Sequence, residues 1–215
     1  SGPKNCVYLG YFQSAEQELD LAKCYADKID VIRRQTGGGA VYSDSELTYS
    51  VCIPIGHPFL KSLGVRESYE QIIQIIIKGL KQLGIKATFK PLNDILVDGK
   101  KISGNAQTRR HGVLLQHGTI LMDVDVDKMF SYLNVSDEKL RDKFVKSVKS
   151  VVTGINHILD VSLSFQALQE HYIAFLQEEF KAYKPEVLDL TEALKEAASE
   201  KFVDKYFSDS WNFKY

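Results

Sequence analysis

Three consecutive glycines, Gly37, Gly38 and Gly39, stand behind the pair Arg33-Arg34 and ahead of Ala40-Val41-Tyr42, and no other stretch restricts the fold as strongly. Such a run costs backbone entropy, so a compact domain keeps it where the chain needs positive φ or very close approach of another group. Backbone N–H groups released in a loop of this kind can cradle an anion, and two adjacent guanidiniums supply countercharge for a carboxylate or phosphate. A glycine-rich β-turn with solvated arginines is the plain alternative, and the residues alone leave both readings open. The loop has neither the Gly-Lys-Ser/Thr ending of a P-loop nor the spacing of a Rossmann turn.

The segments around the loop alternate in type. Residues 6–12 and 30–34 are rich in β-branched and aromatic side chains and read as strands, with a helix predicted over 15–25 between them. Strict alternation over 47–55 predicts a strand with one buried face, which Pro54 ends or confines to an edge. The period changes at 65–83, where Tyr69, Ile72, Ile73, Ile76, Leu80 and Leu83 share one helical stripe and Gly84 stands at the expected C-terminal cap. Short extended segments at 87–90, 95–97 and 101–103 flank Asp98-Gly99, a strong hairpin signal. Residues 113–124 form a long apolar strand, and 125–133, 165–183 and 190–202 read as helices. Strands first and helices last predict an α+β fold with mixed or antiparallel sheets, not a doubly wound one. One catalytic domain over 1–183 is expected, with 184–215, a helix and an aromatic tail, packing onto it after Lys184-Pro185.

Composition excludes several classes. Lys plus Arg (27) nearly equals Asp plus Glu (28), so no global basic field is available for nucleic acid, and any anion site must be local. The three cysteines, Cys6, Cys24 and Cys52, are odd in number and lack CxxC spacing, which predicts a reducing, cytoplasmic setting without disulfides. The apolar stretch 72–80 is interrupted by Gln74 and Lys78 and is too short for a membrane span. The start at Ser1-Gly2-Pro3, without Met, leads us to expect that residues upstream are missing.

Two further segments carry chemistry. In the first, Asn93-Asp94 precedes Lys101, and the small residues Ser103, Gly104 and Ala106 flank Asn105. A lysine beside small residues can point its ammonium into a cleft where a ligand approaches the backbone, there to neutralise a developing phosphorane or acyl oxyanion. Asp94 is the candidate holder of a hydrated Mg²⁺. The bland readings are a surface charge for Lys101 and a turn residue for Asp94. The second segment sets His117, Gly118 and Thr119 inside an apolar strand. A lone histidine there is commonly a hydrogen-bonded core residue, while Gly118 implies close packing against a ligand or another backbone.

In this order and spacing, RRQTGGGAVY, NDILVDGKKISGNAQTRR and LLQHGTILMDVD resemble the arginine-led glycine loop, lysine hairpin and following strand of the lipoate–protein ligase family. The terminal FSDSWNF is similar to the end of that family's large domain, so the resemblance spans nearly the whole chain. It implies a biotin/lipoate ligase-like catalytic domain that makes lipoyl-AMP from lipoate and Mg-ATP, then passes the lipoyl group to a lysine of a lipoyl-domain protein. The glycine cleavage H protein and the acyltransferase subunits of 2-oxoacid dehydrogenases are the acceptors it implies. By the same carry-over Lys101 is the catalytic lysine, and Arg33, Arg34, Gly37 to Gly39, Ala40, Val41 and Tyr42 line the lipoyl and adenylate pocket. Asn93 handles phosphate and Asp94 the metal, Gly104, Asn105 and Ala106 adjoin the ligand, and His117, Gly118 and Thr119 form the neighbouring wall.

Two departures stand out. Ser43-Asp44 replaces the family's usual His-Asp, and the sequence stops at Tyr215 where many ligases continue, so a separate small accessory protein is an expected partner. The rival is an octanoyl or lipoyl transferase of the same fold that needs no ATP. Its cysteine-dependent form carries a cysteine near the loop before the lysine hairpin, and this chain has Lys90-Pro91-Leu92-Asn93-Asp94 there. A non-catalytic lipoate-binding module is the remaining alternative. The ATP-dependent ligase is the reading that the residues favour at this point.

Overall fold

The alternation at 47–55 and 113–124 becomes an antiparallel pair, β4 (Glu46–Pro54) and β8 (Val113–Leu121), in register from Glu46↔Leu121 to Pro54↔Val113. The structure, a computed structural model, describes residues 5–134, 138–187 and 204–215. The predicted helix 190–202 lies outside the described residues. Beside β8 lie β7 (Lys100–Arg110), β6 (Asp94–Val97) and β5 (Thr88–Lys90), giving an antiparallel sheet of order β4-β8-β7-β6-β5. Asp98 (φ 48°) and Gly99 (φ 77°) turn β6 into β7 as predicted, and His111 (φ 52°) with Gly112 (φ 73°) makes the same turn into β8. Strand β7 runs far beyond the predicted 101–103 because its inward polar side chains, Asn105 and Gln107, find hydrogen-bond partners under a helix.

A second sheet of three strands, β1 (Cys6–Leu9), β2 (Asp30–Arg33) and β3 (Val41–Ser43), has order β2-β1-β3, with β1 parallel to β2 and antiparallel to β3. The helix predicted over 15–25 is two short ones, α1 (Ala15–Glu18) and α2 (Leu21–Ala26). Leu19 leaves the helix to bridge Leu133, and the Asp20 side chain accepts from Lys23 N as a fresh N-cap.

The main core lies between the five-stranded sheet and α3 (Val65–Gln82), whose buried Ile72, Ile73, Ile76 and Leu80 are the predicted stripe. Helices α4 (Val126–Tyr132), α5 (Glu138–Val151), α6 (Ile155–Leu159) and α7 (Phe165–Glu179) come next, with α8 (Asp209–Asn212) near the end. The architecture is the α+β one expected. Among the described residues no helix is long and apolar enough to cross a membrane.

Helix α7 crosses α3 at Gly79. A Cβ there would lie 2.6 Å from the ring of Tyr172, whose hydroxyl donates to Ile76 O at 2.8 Å, and 3.2 Å from Phe175. An exposed helical Gly→Ala change stabilises by roughly 1 kcal/mol, but overpacking a buried crossing costs about 1–3 kcal/mol. Gly79→Ala is therefore expected to lower Tm by roughly 2–8 °C in differential scanning calorimetry. A rise in Tm would show that the crossing is slack.

Candidate functional site

Strand β8 alternates between half-buried and buried residues along its whole length, so the five-stranded sheet has one covered face and one partly open face. Pairing sets Asn105 opposite Gly118 and Tyr49, on the covered face, and Ala106 opposite His117 and Ser50, on the open one. Gly104 precedes Asn105 and so belongs with Ala106 on the open face. Lys101 is three residues from Gly104 and would point the other way in a regular strand. It does not, because the register shifts where Ile95 pairs with Ser103 and Leu96 with Lys101, leaving Ile102 as an extra residue in β7. The bulge turns Lys101 back over Gly104, where an added Cβ would lie 3.1 Å from both Cε and Nζ. The ammonium is fixed there by Asp94 Oδ1 at 2.7 Å, with both side chains partly exposed. From the far side, Thr153 N donates to Lys101 O at 2.9 Å.

The glycine loop closes over the same face. His117 Nε2 and Thr36 Oγ1 are 2.6 Å apart, which joins the open face of β8 to the loop. Burial, aided by the neighbouring Arg34 charge, pushes the His117 pKa down to about 4, so the ring is neutral near pH 7. Thr36, fully buried, belongs to the glycine-loop motif but is not among the candidates the sequence singles out; its partner stands 81 positions away, and no local pattern links them. Arg34 donates through Nη1 to Tyr8 O at 3.2 Å and through Nη2 to Gly37 O at 3.0 Å and Gly39 O at 2.8 Å. Its Nε is buried with no hydrogen-bond partner among the described residues. Gly38 (φ 104°) is the member of the triplet that must be glycine, since a Cβ would also meet Arg34 Nη2 at 2.8 Å; at Gly37 and Gly39 the corresponding space is open.

Several predicted contacts lie elsewhere. Arg33, expected to supply countercharge, is 1% exposed and donates to Gly10 O (2.9 Å), Gln13 O (2.6 Å) and Asn212 O (2.8 Å), so it ties the turn after β1 to the tail. The tail answers, with Asn212 Oδ1 accepting from Arg33 N at 2.8 Å and Trp211 Nε1 donating to Arg33 O at 2.9 Å. Tyr42 is buried and stacked on Tyr132, in the core of the small sheet, while Val41 is exposed and Ala40 packs at the edge of that core. Asn105 faces the covered side, and the close packing at Gly118 comes from a side chain, with Asn105 Oδ1 standing where a Cβ would be. Gly104, Ala106, His117 and Thr119 do share the open face with Lys101.

Asp94 does not stand free for a metal. It is paired with Lys101, and among the described residues no group of three His, Cys, Asp or Glu side chains forms a metal-binding cluster. The residues present do not fit a magnesium site of their own. A cleft of about 580 Å³ between residues 123–127 and 149–157 contains none of the candidates. Within it Asp127 pairs with Lys149 at 2.5 Å, and Asp123 accepts from Asn156 Nδ2, outside the lining, at 2.9 Å.

The neutral His117 has a consequence for stability. Its folded pKa lies below the unfolded value, so between about 6.5 and about 4 the unfolded chain binds the extra proton, and stability falls as pH is lowered through that window. The loss attributable to this ring is about 3 kcal/mol. His117→Gln keeps a partner for Thr36 and should flatten the decline of Tm between those pH values; an unchanged slope would contradict the assignment.

Comparison with known proteins gives the setting. The chain matches the lipoyl protein ligase A/B catalytic domain over residues 3–177. The octanoyltransferase LipM of Clostridioides difficile is 34% identical over 229 residues, covering 97% of this chain and 83% of the relative. That of Staphylococcus aureus is 36% identical over 230 residues, covering 96% and 82%. Among solved structures, the bi-partite lipoate protein ligase of Thermoplasma acidophilum superposes with a TM-score of 0.83 at 31% identity, over 98% of this chain and 80% of that one. These relatives overturn the expected ATP-dependent lipoate ligase, because curated proteins 31–36% identical over most of the chain are octanoyltransferases. The glycine loop and lysine hairpin do not separate the two kinds of enzyme, since octanoyltransferases and a lipoate protein ligase both align with nearly the whole chain at more than 30% identity. With a match that spans residues 3–177 and relatives alike over most of their length, this chain belongs to the lipoyl protein ligase A/B catalytic domain family and is an enzyme of the lipoate ligase and transferase group.

Proposed function

We propose that the protein transfers an octanoyl group from a thioester donor to the Nζ of a lysine on a lipoyl-domain acceptor, such as a glycine cleavage H protein or a 2-oxoacid dehydrogenase acyltransferase subunit. The observation that carries this is the Lys101 ammonium held over Gly104 by Asp94 on the open face of the sheet. The acceptor amine adds to the thioester carbonyl, and negative charge gathers on the carbonyl oxygen, where Lys101 neutralises it. Collapse of that intermediate breaks the C–S bond, the amine proton leaves with the departing thiolate as a thiol, and an amide remains. Atoms and charge balance without a nucleotide. The floor of Gly104 and Ala106 admits the acyl chain close to the backbone, and the glycine loop bounds it.

Direct transfer, without an acyl-thiol intermediate on this chain, is supported by where the three cysteines lie. Cys6 and Cys24 are buried in the small sheet and its core, and burial raises both thiols, Cys6 to about 11, which leaves them protonated and poor nucleophiles. Cys52 is exposed but aligns with Leu115 and Thr108, four residues and two strand spacings from Gly104, roughly 17 Å away.

The test uses an octanoyl thioester, an acceptor domain and no ATP, with intact mass spectrometry of both proteins. The acceptor should gain one octanoyl group, with no adduct on this chain and no loss of rate on Cys52→Ser. Lys101→Met should lower kcat by about 10²–10³-fold. Modification that requires ATP and a free acid would overturn the proposal, and an octanoyl adduct on a cysteine of this chain would overturn the direct route.

A further inference from the structure

We infer that Asn105 is a positioning residue for the reactive cation, acting through Asn93 and Asp94 from the opposite face of the sheet. The reactive pair raises the question of what holds Asp94, which opens β6 shortly after the exposed residues Pro91 and Leu92. Its neighbour Asn93 supplies the hold. Asn93 O accepts from Asn105 N at 3.0 Å and from Asn105 Nδ2 at 2.7 Å, and Asn93 Nδ2 donates to Asn105 O at 2.5 Å. The two asparagines thus clasp each other across β6 and β7, one residue from the pair Asp94↔Gly104.

The clasp is anchored behind the sheet. Tyr49 Oη donates to Asn105 Oδ1 at 2.5 Å and accepts from Gln116 Nε2 at 3.2 Å; Gln116 Oε1 accepts from Gln107 Nε2 at 2.9 Å. Asn105 and Gln116 are 4% and 0% exposed, so these bonds are made away from water, where an unpaired carboxamide is costly. Gly118 leaves the space for the carboxamide, which occupies the place of its missing Cβ. Lys101 Nζ lies on the Gly104 side of the strand and Asn105 on the other, so Asn105 reaches the cation only through backbone and Asp94.

The experiment reads Lys101 directly and rests on the proposed reaction in only one of its arms. The chain is reductively methylated with ¹³C-formaldehyde, and the Lys101 signal is assigned by its loss in Lys101→Arg. Asn105→Ala should move that signal toward its position in Asp94→Asn, and adding Asn105→Ala to Asp94→Asn should move it no further. Gly118→Ala, which drives the carboxamide out of its place, should reproduce the shift from another strand. In the octanoyl transfer assay, Asn105→Ala should lower kcat by about tenfold or more with KM for the acceptor unchanged, and the losses from Asn105→Ala and Asp94→Asn should not multiply in the double variant. A Lys101 signal unmoved in a folded Asn105→Ala chain, or multiplicative losses, would overturn the inference. If Asn105→Ala does not fold, Asn93→Ala, which removes one bond of the clasp from a half-buried side chain, gives the same signal test. Absence of octanoyl transfer by the wild-type chain would sink the proposed reaction while the signal arm still decides the inference.

Discussion

A strand presents successive side chains to opposite faces, and the site exists because β7 breaks that rule once. The extra residue Ile102 brings Lys101 to the side of Gly104 and Ala106, while Ile102 and Ser103 are both fully buried. Beyond the bulge the strand is regular, with Asn105 and Gln107 facing the helix-covered core and the small residues facing the opening. One strand therefore carries the cation, the small residues beside it on the open face and, on the covered face, the buried hydrogen bonds of Asn105 and Gln107.

The two arginines ahead of the glycines divide the labour of shaping the loop. Arg34 folds back onto the carbonyls of Gly37 and Gly39, and Arg33 draws the tail residues Trp211 and Asn212 onto the end of β2. Their charges serve protein carbonyls, which leaves Lys101 to face the open side of the sheet beside the small residues. The hydrogen bonds of both guanidiniums run to backbone carbonyls of the chain itself, and Arg34 Nε alone is left buried without a partner among the described residues.

Much of the fold was legible in the residues, and the parts that were not have a common cause. Alternation at 47–55, the stripe from Tyr69 to Leu83 and the Asp98-Gly99 turn are local patterns, and each became the expected element. The bulge at Ile102, the Thr36–His117 contact and the packing of Asn105 against Gly118 depend on strand neighbours far apart in sequence, and no local pattern records them. Arg33 illustrates this most plainly, because its partner Asn212 lies 179 residues away and the loop motif alone presents it as a ligand-binding charge. The break at Leu19-Asp20 is hidden for the same reason, since Leu133 is what draws Leu19 out of the helix. The nature of the acyl donor was not legible, because octanoyltransferases and a lipoate protein ligase alike match this chain over most of its length.

The central claim is that the Lys101 ammonium meets charge that develops on an acyl oxygen. Calorimetric affinities for octylphosphonate, a tetrahedral anion, and for octanamide, a neutral planar analogue, test it most directly in the wild type and in Lys101→Met. The account predicts that the substitution weakens the phosphonate by about 100-fold or more and octanamide by little, since only the transition-state-like ligand places charge at the cation. Equal weakening of both ligands, or loss of phosphonate affinity on Lys100→Met instead, would contradict it.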